Sequence, residues 1–220
     1  MKFNWNDITS LAYQTLIELK LTEFPIPPNK IRCKEVKIVS YQKYAQFSGL
    51  TVEEITCSGE LKDAFVMRGL RPGLTMILYN EEQIDSRTKH TLWHEVGHVK
   101  CGHTRHGPQE EIEAHFFASQ ANAPNALIKE IAKKGYSIDS SLLTQYFGLS
   151  QESAKKKMEY LNKHHFNHTN EYDEIIQMQF SSFVNKQFPP KGRKIYDDYY
   201  DEMEEERSGW QLLILITYGG

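Results

Sequence analysis

The sequence predicts an α+β fold: a short β-sheet packed on helices that carry a metal site, followed by a helix-turn-helix-like pair of helices. Three observations lead there. Apolar residues recur at helical spacing at both ends of the first 160 residues, three short β-prone runs cluster before residue 80, and two histidines four apart lie on a helical stretch directly after those runs.

In chain order, Ile8, Leu11, Ala12, Leu16 and Leu19 give a packing helix over 7–20, which Pro25, Pro27 and Pro28 keep from continuing. Runs at 36–39, 64–67 and 74–79 read as strands, with a turn at 69–73 feeding the third. Ser86 is a plausible N-cap for a helix running to about Cys101, where Gly102 supplies a stop. Pro108, just after Gly107, suits the first position of the next helix, which carries Glu113 and Phe117 to about Ala121. A short amphipathic helix follows around 127–132. Segments 140–147 and 150–161, joined at Gly148 and Leu149, then read as two packed helices. Three regions result: 1–135 as the metal-carrying domain, 136–165 as the helical pair, and 166–220 as an accessory tail with an acidic run (197–206) and an apolar end (210–218).

Composition narrows the functional classes. Of 220 residues 40% are hydrophobic and 25% charged, and 26 Lys+Arg against 29 Asp+Glu leave a net charge of −3. That balance belongs to a globular chain with a core. It lacks the cationic surplus with which proteins hold a phosphate backbone, so direct nucleic-acid binding is not expected. No apolar run approaches the roughly 20 residues a membrane helix needs, and Asp7 sits where the apolar part of a signal peptide would begin. Cys33, Cys57 and Cys101 are odd in number and widely spaced, which argues against a disulfide framework. A cytoplasmic protein without a membrane partner is expected.

The chemistry concentrates in the run His90-Thr91-Leu92-Trp93-His94-Glu95-Val96-Gly97-His98. On a helix His94 and His98 project from one face, where two imidazoles can grip one metal ion, and Glu95 flanks the same place. Leu92, Val96 and Val99 form a second stripe that anchors the helix. Shuffled sequences of this composition contain a His-Glu-x-x-His match in about 3% of cases, so the pattern needs a partner. A catalytic zinc takes three protein ligands and keeps one position open. The third-histidine version of the motif would need Gly at 101 and His at 104, where the chain has Cys101 and Thr104. A carboxylate from the next helix is the alternative; Glu113 is preferred, with Glu110 and Glu111 behind it. The further histidines His103, His106 and His115 are candidates for supporting ligand carboxylates or a developing oxyanion, and His90, one turn before His94 on the same face, for a structural role beside the metal.

His94-Glu95-Val96-Gly97-His98, then Gly102-His103, then Glu111-x-Glu113-Ala114-x-x-Phe117-Ala118 and Pro124 together resemble the ImmA/IrrE family of cytoplasmic bacterial metallo-endopeptidases. The order of parts over about 5–162 is similar as well. The resemblance implies a zincin-like domain with Zn2+ held by His94, His98 and Glu113, and Glu95 as catalytic acid/base. It also implies a protein substrate, a helix-turn-helix transcriptional repressor of a phage or mobile element. The competing reading is a DNA-binding regulator that uses 140–162, with Lys155, Lys156 and Lys157 on its second helix, and a structural metal site closed by a fourth ligand such as His90 or Cys101.

Overall fold

The computed structural model describes residues 4–34, 36–56, 63–68, 75–82, 85–105, 107–164 and 169–191. The turn expected at 69–73, Cys57, His106, the acidic run and the apolar C-terminal stretch lie outside them.

Helix α1 (Trp5–Glu18) opens two residues earlier than the apolar spacing predicts because Asn4 caps it: Asn4 Oδ1 accepts from the Asp7 backbone N–H at 2.9 Å, and the Asp7 carboxylate accepts from the Asn4 N–H. Strand β1 (Val36–Ser40) leads into α2 (Tyr41–Ser48) and the short α3 (Val52–Thr56), followed by β2 (Ala64–Arg68) and β3 (Thr75–Tyr79). The strands lie in the order β1-β3-β2, with β1 parallel and β2 antiparallel to β3.

Strand β3 is therefore central. Ile77 points into the main core while Met76 and Leu78 point to the opposite face, where they pack with Tyr41 and Ile55 beneath α2 and α3. Alternation of the pleat delivers one strand to two cores.

Behind the sheet come α4 (Asp85–Lys100), α5 (Pro108–Asn122) and α6 (Asn125–Lys133), then α7 (Ser140–Phe147), α8 (Gln151–His164), α9 (Asp173–Gln179) and α10 (Ser181–Gln187). Leu92, Trp93 and Val96 of α4 are fully buried against Phe117, Ala118 and Ala121 of α5, and the same core takes in Ile8, Ala12 and Leu16 of α1. Gly97 is the point of closest approach: a Cβ there would lie 3.1 Å from the Phe117 Cβ and 3.2 Å from the Ala114 Cα and carbonyl oxygen. Tyr13 ties α1 to α6, its hydroxyl accepting the buried Ala126 N–H at 3.0 Å.

Two expectations are corrected. The boundaries at 135 and 165 do not divide the chain, because Leu143, Phe147, Ala154, Leu161, Ile176, Phe180, Phe183 and Phe188 all join the main core. The compact unit runs through Phe188. The tail read as accessory thus contributes α9 and α10 to the core. Gly148, in the left-handed conformation at φ 69°, sits so close to Pro25 and the Lys89 ammonium that no Cβ would fit. The α7–α8 turn is seated on the body. Among the described residues no helix is long and apolar enough to cross a membrane.

Gly97→Ala should cost about 1–3 kcal/mol, since the methyl group forces α4 and α5 apart where backbone has no room to yield. Urea unfolding followed by circular dichroism measures it, and an unchanged midpoint would contradict the packing described.

Candidate metal centre

Helix α4 presents His94 and His98 one turn apart, with their Nε2 atoms 3.1 Å from each other. Helix α5 supplies a carboxylate from its first turn, and that residue is Glu111. One of its oxygens lies 3.2 Å from His94 Nε2 and the other 3.4 Å from His98 Nε2. Ligand atoms about 2.0–2.1 Å from a tetrahedral ion stand roughly 3.3 Å apart. Two ring nitrogens and a carboxylate thus already hold the spacing that a small divalent cation would impose.

Glu113, the preferred third ligand from sequence, is placed elsewhere. It is 2% exposed, with one oxygen 3.0 Å from His103 Nε2 and the other accepting from Gln109 Nε2 at 2.7 Å. The reason is helical geometry: two residues along a helix are about 200° apart, so Glu111 and Glu113 cannot face the same imidazoles. Glu111 shares the stripe of Ala114 and Ala118 that faces α4; Glu113 lies around the helix toward His103. Glu110 has no place in the cluster formed by His94, Glu111 and His115.

Glu113 supports His98 indirectly. Gly102, at φ 70°, reverses the chain after α4, and the His103 N–H returns to the His98 carbonyl at 2.9 Å. The turn carries the His103 ring under His98, Nδ1 to Nδ1 at 3.0 Å. With a proton on His98 Nδ1 shared to His103, and His103 Nε2–H donating to Glu113, the lone pair of His98 Nε2 faces Glu111 and His94. A hydrogen-bonded ligand of this kind is fixed in tautomer and orientation. Sequence reading paired His103 with ligand carboxylates only in general terms; the Gly102-His103 dipeptide after the helix was the available signal.

Burial, the neighbouring His115 and then His98 push the His94 imidazole down to about 3, so it stays neutral at physiological pH with its lone pair available. Burial and the nearby His115 lower His90 to about 4. His115 stacks between them, its ring centroid 4.3 Å from that of His94 and 5.6 Å from that of His90. Burial, reinforced by Glu113, raises the Cys101 thiol to about 12, and Cys101 is not part of the cluster of His94, Glu111 and His115.

Glu95 is 7% exposed at the sheet side of α4. Its charge, after burial, raises the Tyr41 hydroxyl to about 12, which marks Tyr41 as a neighbour of the Glu95 carboxylate. Sequence reading missed Tyr41 altogether, because α2 carries too few apolar residues for its periodicity to stand out.

An α+β domain whose sheet backs a His-Glu-x-x-His helix, with a carboxylate from the next helix closing on both histidines, defines the zincin class of metal-binding folds. Residues 57–159 match the sequence profile of the IrrE N-terminal-like domain of peptidase family M78, and this segment belongs to that family of metallopeptidases. The matched span holds the metal cluster, β2, β3 and most of α8. No curated relative and no solved structure matches the chain.

Glu111→Gln and His103→Ala separate the two kinds of residue. The first should abolish tight metal binding, and the second should weaken it by about 10–100-fold by freeing the His98 ring. Competition against a chelating dye reads both, and equal affinities for wild type and Glu111→Gln would remove Glu111 from the site.

Proposed function

We propose that the chain is a cytoplasmic zinc-dependent endopeptidase that hydrolyses a peptide bond in a protein substrate, with a helix-turn-helix transcriptional repressor of a phage or mobile element as that substrate. The observation that carries the reading is the convergence of His94, His98 and Glu111 to mutual distances of 3.1–3.4 Å, one residue from the acid Glu95. Two neutral imidazoles and a carboxylate are a borderline-soft donor set suited to zinc. Zinc in this position supplies Lewis acidity, which brings water toward ionisation near neutral pH and polarises a carbonyl.

The chain's own residues do the rest. Glu95 accepts the proton of the attacking water and returns it to the leaving amine nitrogen. In this reading His115, which packs on His94 at the more exposed end of the cluster, donates a hydrogen bond to the substrate carbonyl oxygen. An extended peptide needs a sheet edge. Strand β3 is paired on both sides, so the edge strands β1 and β2 remain, and β2 packs against α4.

Several observations weigh against the regulator alternative. Lys157 is buried, which withdraws one of the three lysines from a duplex-binding face, Lys156 is offset by Glu152 at 2.7 Å, and Gly148 seats the turn on Pro25. A site closed by Cys101 is disfavoured because Cys101 is not in the cluster of His94, Glu111 and His115.

Incubation of the zinc-loaded protein with the helix-turn-helix repressor encoded beside it should yield a discrete fragment, lost with chelator and restored by zinc. Glu95→Gln should retain metal while lowering the cleavage rate by about 10²–10⁴-fold. Undiminished cleavage by Glu95→Gln, or by metal-free protein, would end the peptidase reading.

A further inference from the structure

Beside the metal cluster a cavity of about 580 Å³ opens between α1, α5 and α8. One wall is aromatic: Trp5 packs on Phe116 with ring centroids 4.7 Å apart, and Phe116 on Tyr160 at 5.4 Å. His90 and His115 also line it, and His115 packs on His94, so the cavity adjoins the place where a scissile bond would lie. The remaining chemistry is cationic. Lys156, Lys157 and Lys163 line the cavity, as do Ser150 and Ser153 at the start of α8, and no acidic residue is among the described lining residues.

Lys157 is the unusual member. It is 2% exposed, and its ammonium meets one neutral acceptor, the Ser119 carbonyl, at 3.4 Å. An ammonium has three donors, and a buried cation with a single long hydrogen bond carries a desolvation cost that no side chain present offsets. Burial accordingly pushes it down to about 7. Lys156, by contrast, is exposed and already held by Glu152. The helix end, the serines and the buried amine all favour negative charge within an apolar surround.

We propose that this cavity is a substrate subsite for an acidic side chain flanked by an apolar or aromatic residue, the carboxylate being bound by Lys157. The proposal rests on the peptidase reading for its substrate, since it is the contiguity with His115 and His94 that makes the occupant a peptide. A single buried amine matches one carboxylate rather than a polyanion, and the volume accommodates a few side chains, in the range of small-ligand sites.

The test uses Glu95→Gln protein, in which turnover is slowed, titrated by ligand-detected NMR with N-acetyl-Phe-Glu-amide and N-acetyl-Phe-Gln-amide. The acidic peptide should bind about tenfold more tightly, the effect of one charge-assisted hydrogen bond. Adding Lys157→Met should erase that preference, while Lys155→Met, which lies outside the cavity lining, should keep it. Equal affinity for the two peptides, binding of neither, or a preference that survives Lys157→Met would each overturn the subsite. Inorganic phosphate that binds with the same Lys157 dependence while the acidic peptide does not would also overturn it in favour of a simple anion site. Binding is read without cleavage, so a wild-type protein that shows the preference yet cuts nothing would count against the peptidase reading alone.

Discussion

The close approach of α4 and α5 at Gly97 governs the rest of the molecule. Only a residue without Cβ lets the Ala114 backbone and Phe117 come within van der Waals contact of α4, and that separation is what allows a carboxylate on α5 to reach two imidazoles on α4. The apolar side chains around it, Leu92, Trp93, Val96, Phe117 and Ala118, are fully buried and hold the distance fixed. Burial of about 25 cal/mol per Å² of apolar surface provides the force, and the glycine sets where that force brings the helices to rest. The geometry of the candidate metal site is thus a product of core packing.

Polar groups near the site divide by depth. Glu111 is partly exposed and meets both imidazoles at the mouth, whereas His98, His103 and Glu113 are buried and form a chain of hydrogen bonds that ends on Gln109. Each buried member has a partner, as low dielectric demands. Burial and neighbouring imidazoles keep His94 neutral, so the same packing that orders the helix also prepares its ligand atom.

Much of this was legible in the sequence, and the failures have physical causes. His94, Glu95 and His98 declare themselves because a four-residue spacing on a helix has one geometric meaning. The choice between Glu111 and Glu113 was not legible: both border the apolar stripe of α5, and only the phase of that helix against α4 decides between them. The metal helix, its glycine stop and the Gly107-Pro108 start were readable from local signals. Helix α2 was missed because Tyr41, Tyr44 and Ala45 make a weak stripe, although Ser40 caps it and Gly49 closes it. Helices α9 and α10 were passed over because a change in composition after residue 163 masked Phe180, Phe183 and Phe188, whose burial becomes apparent only when Phe24 and Phe147 are brought beside them.

The seating of Gly148 on Pro25 and Lys89 bears on how the protein can be handled. Residues that belong to the recognised family segment share one hydrophobic interior with α1 before it and with α9 and α10 after it. Excising 57–159 would keep α4 with α5, β2 and β3 but strip α5 of α1 and α6 of α9 and α10, leaving broad oily surfaces facing water. The smallest piece that keeps its own interior intact runs from the first helix to Phe188, so any shortened version meant for crystallisation or screening is best trimmed only beyond that phenylalanine.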